Sequence, residues 1–322
     1  MLLGLLLQST ATYARVTGVW TDIESHENIV GDYLRNATAI AHTANLRMAV
    51  DAQVGWAIEQ NTQNPERPVH EQVMDIVDEV CLMDYFTGCA SKMSTTGVPC
   101  DPTMAMFWLG PWLSYANFLL ATRNRTVLID VGVAVDPTRN ASTGAPNYPD
   151  NHWISSEVDL ESFIQRSWTF IRSLQGEGPT SGDPGMLPPF LKSWCTDDTK
   201  NYTECRSARG PFHNHAIFQQ SSYKALAYGN GSCHAKHPAC GPPTSRPPRA
   251  VWWYGILNNP PLNESSAVQI IDFCVARHVT ELYLDQWNST SGSNFERFVR
   301  SADRAGIDVL IYVGEDAGPA RA

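Results

Sequence analysis

The segment GVWTDIE (Gly18–Glu24) sets two carboxylic acids, Asp22 and Glu24, two positions apart in a run otherwise suited to a β-strand. Side chains alternate along a strand, so Trp20, Asp22 and Glu24 share one face. Cα atoms two apart on a strand are about 6.6 Å from one another, which lets the two carboxyl groups approach to roughly 5 Å. Two carboxylates that close do not both ionise freely, and one pKa rises. A protonated carboxyl beside an ionised one is the pair that general acid catalysis uses. Glu24 suits the acid, and Asp22 the group that holds or orients its proton.

Other polar residues fall at the ends of apolar runs. Asp51 and Gln53 close RMAVDAQ, Asp285 closes ELYLD, Glu315 and Asp316 follow DVLIYVG, and Gln219 ends a weaker run. Trp253, Trp287 and Trp56 lie near the same ends, where an aromatic face can stack on a flat apolar ligand. A metal is not expected. Cys233, His234, His237 and Cys240 approach zinc-ligand spacing but sit among Pro and Gly, and His213 with His215 lacks a third ligand. No glycine-rich phosphate loop follows any strand, so no nucleotide cofactor is expected either.

These residues need a scaffold that brings strand ends together. Short β-branched runs alternate with helical patterns along the chain. Strands are expected over 18–24, 47–54, 79–86, 126–135 and 215–220, with helices over 28–44, 69–77, 104–123 and 159–174. Residues 228–249, rich in Gly, Pro and Ser, break all periodicity and read as a linker or a long surface loop. The alternation resumes with strands over 251–256, 281–285 and 308–314 and helices over 265–278 and 295–306. Five units before the linker (residues 15–227) and three after it (250–322) make eight. Nearly continuous apolar strands argue for a parallel sheet covered by helices, and eight units match a (β/α)8 TIM barrel. The apolar stretch 104–120 contains Pro111 and reads as a packed barrel helix.

The strand motifs resemble the chitinase-like (family 18) branch of the TIM-barrel glycoside hydrolases. In that family the fourth strand ends in Asp-X-Glu, as Asp22-Ile23-Glu24 does here, and the sixth carries Met-X-Tyr, as Met83-Asp84-Tyr85 does. One strand, RMAVDAQV, lies between them, as the family requires. The aromatic VWWYGI resembles the family's first strand. The resemblance implies that Glu24 protonates a glycosidic oxygen, that Asp22 orients it or positions an acetamido group, and that Tyr85 hydrogen-bonds the same sugar. Asp84, Asp51, Gln53, Asp285, Gln219, Glu315 and the three tryptophans would then face carbohydrate. It also implies a rotated order, with strands four to eight preceding strands one to three. A circular permutation, two partial barrels, or part of a longer tandem-barrel chain would each produce it. Two positions depart from the family: Trp20 and Phe86 stand where it has acids. These departures support an alternative, a barrel that binds glycans without cleaving them.

Composition narrows the remaining classes. The 322 residues are 43% hydrophobic, with 23 basic against 33 acidic side chains and a net charge of −10. Such a balance, with no basic run, argues against a nucleic-acid partner. No apolar run reaches the roughly 20 residues of a membrane-spanning helix. Seven Asn-X-Ser/Thr sequons, at Asn36, Asn124, Asn140, Asn201, Asn230, Asn263 and Asn288, point to a secreted or lumenal glycoprotein. The pairs Cys89/Cys100, Cys195/Cys205 and Cys233/Cys240 are close enough for loop disulfides, whereas Cys81 and Cys274 fall in apolar patterns that suit buried free thiols. Residues 1–14 read either as a leader peptide or as the remnant of a helix.

Overall fold

The structure is a computed structural model. It describes residues 16–23, 27–53, 56, 60–61, 64–83, 102–135, 154, 156–174, 212–218, 223, 227–228, 233, 242, 246–253, 262–284 and 292–312. In chain order the elements are β1 (Gly18–Asp22), α1 (Glu27–Thr43), β2 (Arg47–Ala52), β3 (Gln60–Asn61), β4 (Asn64–Pro68), α2 (Val69–Met74) and β5 (Glu79–Leu82). They continue as α3 (Pro102–Arg123), β6 (Leu128–Ala134), α4 (Glu157–Leu174), β7 (Phe212–Phe218), β8 (Arg249–Trp253), α5 (Glu264–Ala276), β9 (Val279–Leu284), α6 (Gly292–Arg304) and β10 (Asp308–Tyr312).

Local chemistry sets the ends of these elements. Asn263 and Ser266 form a reciprocal capping box at the start of α5, and the Ser156 hydroxyl accepts from the Asp159 N–H at the start of α4. Four helices hand over to a strand through a residue in the left-handed region: Asn45 (φ 59°), Asn124 (φ 49°), His278 (φ 54°) and Gly306 (φ 73°). Asn and Gly adopt that conformation at low cost, which makes them helix stops.

Eight parallel strands close into one barrel in the order β1–β10–β9–β8–β7–β6–β5–β2. This is the expected (β/α)8 architecture. The closing seam joins the first strand to the last, with Gly18 opposite Leu310 and Trp20 opposite Tyr312, while the other edge of β1 pairs with β2. A Cβ on Gly18 would lie 3.0 Å from the Arg47 carbonyl oxygen and 3.2 Å from Leu310 Cγ, so the seam closes over a bare α-carbon. Strands from both sides of residues 228–249 therefore share a single barrel. The antiparallel hairpin β3–β4 stands apart from it and was not expected, because QN and NPERP show no apolar alternation.

Each barrel strand is buried on both faces. Outward residues such as Val50, Val80, Ile129, Val251 and Val309 pack under the helices. Inside, Trp20, Trp252 and Tyr283 fill the lumen opposite Ala49, Ala216 and Ala250. Large side chains facing small ones pack a lumen this narrow without voids. Helix α3 buries Trp112, Leu113, Ala116 and Leu119 against the strands. Among the described residues, no helix is long and apolar enough to cross a membrane.

Candidate functional site

Chemistry on a parallel barrel belongs at the C-terminal ends of its strands. Asp22 is the last residue of β1, and its register partner on β2 is Asp51. Register neighbours on adjacent strands lie about 4.8 Å apart and project to the same side. The line continues from Asp51 to Cys81 on β5 and from Cys81 to Asp130 on β6. Three carboxyls therefore follow one course around the lumen.

Asp51 is only 2% exposed. The Trp252 indole Nε1–H donates to its Oδ2 at 2.9 Å, and its Oδ1 is buried without a hydrogen-bond partner. Burial first, and then the neighbouring Asp22 charge, push the Asp51 carboxyl well above the usual carboxylate range. The Trp252 bond works against that rise, and Asp130 and Glu79 add to it. Asp22, beside Asp51 in register, is half-buried.

Deeper in the lumen lies a network that the sequence did not announce. Glu79, Asp130 and Glu281 are fully buried, with carboxylate oxygens within 4.8 Å of one another. The Tyr283 hydroxyl sits 2.8 Å from Glu79 Oε1 and 2.7 Å from Asp130 Oδ2. The Arg47 guanidinium enters from the start of β2 and pairs with Glu79 at 3.1 Å, Glu281 at 2.7 Å and Asp308 at 3.1 Å. Burial alone would lower the Arg47 pKa, but these three carboxylates outweigh it and raise it above the ordinary value. Among the described residues, one guanidinium, Arg47, thus holds this acidic cluster together. The signal in the sequence is partial: Asp130 interrupts an apolar run, whereas Glu79 and Glu281 stand at or near the start of theirs.

The other converging acids are structural. Glu157 and Glu161 on α4 approach Cys233. Cys233, however, is disulfide-bonded, and the carboxylates are taken by Arg277, Arg249 and Arg246. Cys81 and Cys274 are buried thiols outside any disulfide, as their apolar settings suggested.

Of the expected site residues, the structure describes Asp22, Asp51, Gln53, Trp56 and Trp253. Asp22 and Asp51 come together as neighbours, and Gln53 follows β2, half-buried. The two tryptophans do not join them. Trp253 faces outward and meets Phe273 of α5 edge-on at 5.9 Å, while Trp56 is 5% exposed within the strand–helix layer. The period of two explains the first case: with Trp252 turned into the lumen, Trp253 must turn out. Glu24, Tyr85, Asp84, Asp285, Trp287, Gln219 and Glu315 lie outside the described residues. So do four of the sequons; the other three, at Asn36, Asn124 and Asn263, are exposed.

Comparison with known proteins adds little to this geometry. No family model and no curated protein matches the chain. Among solved structures it is similar to a beta-glucosidase from Exiguobacterium marinum at 10% identity and a TM-score of 0.31, covering 97% of this chain and 77% of that one. It is also similar to the GH1 beta-glucosidase from Exiguobacterium antarcticum B7 at 11% identity and a TM-score of 0.33, covering 97% and 76% of the two chains. Likeness at that level carries no argument about function, and neither structure is a chitinase-like protein. The barrel assignment rests on the strand pairing itself.

Proposed function

We propose that the chain is a secreted glycoside hydrolase-like protein that cleaves β-linked sugars, N-acetylated ones among the candidates, by carboxylate general acid catalysis. The observation that carries this reading is the register pair Asp22–Asp51 at the C-terminal ends of β1 and β2 in a closed parallel barrel. Glu24, two positions beyond Asp22 in the sequence, donates its proton to the glycosidic oxygen. Asp22, ionised, orients that acid and stabilises the positive charge that develops at the anomeric carbon, to which water adds as the leaving oxygen keeps the proton from Glu24. Tyr85 and Gln53 hold the sugar. The exposed sequon residues Asn36, Asn124 and Asn263 support passage through a secretory pathway.

A second reading, glycan binding without hydrolysis, is favoured by Trp20. This residue occupies the position where the chitinase-like family has an acid, and its ring is buried in the lumen with Nε1 donating to the Leu284 carbonyl. A mixed oligosaccharide panel read by mass spectrometry separates the two. Wild-type protein is expected to release products, and Glu24→Gln and Asp22→Asn to lose at least about a hundredfold in rate. Saturable binding by wild type with no product would favour the second reading. Equal turnover by wild type and Glu24→Gln would overturn the assignment of the acid.

A further inference from the structure

We infer that, given the sugar-cleaving reading above, Asp51 is the positioning residue for Asp22: its buried Oδ1 carries a proton and donates it to the Asp22 carboxylate. Geometry leads to this before any titration does. Asp51 is almost wholly inaccessible, so it does not touch substrate, whereas Asp22 at the strand end is half-buried. Of the two Asp51 oxygens, Oδ2 is satisfied by the Trp252 indole and Oδ1 takes no hydrogen bond. An ionised carboxylate with a bare oxygen in this interior would bear the full cost of desolvation. Once protonated, the same oxygen becomes a donor, and the side chain in register with it on the same face is a carboxylate.

The surroundings agree from every side. Around Asp51 stand Asp22 on β1, Glu79 and Cys81 on β5, Asp130 on β6 and the Trp252 N–H on β8. All the ionisable groups in that set are acidic, and the lumen's guanidinium, Arg47, is engaged with Glu79, Glu281 and Asp308. Among the described residues, the carboxylates around Asp51 therefore favour its neutral form. A neutral donor beside Asp22 keeps Asp22 ionised and fixes its rotamer, which a carboxylate needs if it is to orient Glu24. Trp20 leaves no acid at the preceding inward position of β1, so this support comes from the neighbouring strand.

The test is carboxyl titration by NMR on protein labelled with 13C at the aspartate carboxyls, in wild type, Asp51→Asn and Asp51→Ala. In wild type the Asp51 resonance is expected to keep the shift of a protonated acid at neutral pH. Asn retains an N–H donor towards Asp22 and an acceptor for Trp252, so Asp22 should titrate in Asp51→Asn as it does in wild type. In Asp51→Ala the donor is gone, and the Asp22 titration should move up on the order of one pH unit. If the panel yields product, Asp51→Asn should keep more of kcat than Asp51→Ala, whose acid limb should shift upward with Asp22. Titration of Asp51 in the ordinary carboxylate range in folded wild type would overturn the inference. An Asp22 titration unmoved in a folded Asp51→Ala would do the same. Both readouts exist without turnover, so a failed sugar panel would sink the proposed function and still leave Asp51 decided. Should Asp51→Ala not fold, the wild-type resonance decides alone.

Discussion

Tyr283 shows how much a single hydroxyl can determine. It has one proton, yet two carboxyl oxygens, Glu79 Oε1 and Asp130 Oδ2, lie at hydrogen-bonding distance from it. The hydroxyl donates to one and must accept from the other, so one of the two carboxyls is protonated. Arg47, 3.1 Å from Glu79 Oε2, favours the charged form there, which leaves the proton with Asp130. Replacing Asp130 by Asn substitutes an amide N–H for the carboxyl O–H and should cost under about 1 kcal/mol. Tyr283→Phe removes the bridge, leaves two buried acids facing each other, and should cost about 1–3 kcal/mol. Urea unfolding of both variants at neutral pH gives the comparison. A greater loss in Asp130→Asn than in Tyr283→Phe would place the proton on Glu79 instead. Sequence had already marked Asp22 and Asp51, because a carboxyl at the end of a strand is visible in one dimension. Arg47, Glu79 and Glu281 carry no such mark, since a charge at a strand start reads as a solvated end until closure puts it in the lumen.

Among the elements, α4 is tied to the barrel by charge as well as by apolar contact. Its Glu161 makes a two-pronged pair with Arg249 at the start of β8, at 2.5 and 2.9 Å, with both side chains essentially inaccessible. The Tyr223 hydroxyl accepts from the same guanidinium at 3.2 Å, and Glu157 one turn earlier holds Arg277 at 3.0 Å. These contacts span the stretch 228–249 and hold the two series of strands to each other. Glu161→Ala leaves a buried guanidinium uncompensated and should cost about 3–5 kcal/mol, whereas Glu161→Leu combined with Arg249→Met should regain most of that loss. Thermal or urea melts of the single and double variants decide it, and a double variant no better than Glu161→Ala would show that packing, not charge, dominates the joint. The strands and helices themselves were legible, because β-branched runs and three-to-four periodicity survive in the bare sequence. The inside and outside of a strand were not. A strand covered on both faces has no polar alternation, so VWW cannot say which tryptophan enters the lumen; Trp252 is the one inside, and Trp253 faces the helices. Pairing across 88 positions, as between Glu161 and Arg249, leaves no local trace at all.

For the molecule as a whole, the lumen and the periphery respond to pH in opposite senses. Asp51 has a folded pKa well above its unfolded value near 3.9, so the folded state binds more protons than the unfolded chain over the interval between them. Its contribution is complete below about pH 4 and is lost as pH rises through the folded pKa, at up to about 1.4 kcal/mol per pH unit. Asp75, at the end of α2, behaves the other way. Burial pushes its carboxyl up, but the Tyr115 hydroxyl at 2.8 Å, Arg67 at 2.9 Å and Arg123 at 2.9 Å outweigh that and hold it below the ordinary range. Its stabilising share is present above about pH 4 and disappears as pH falls through the folded value. Stability is therefore expected to peak on the acidic side of neutrality and to decline in both directions. Asp51→Asn, neutral at every pH, should flatten the alkaline decline and leave the acidic one, and Asp75→Asn should flatten the acidic one alone. Urea midpoints measured across the pH range for the three proteins test both halves. An alkaline slope unchanged by Asp51→Asn would mean that Asp51 is already ionised in the fold. The acidic lumen would then have to be balanced by something other than protons.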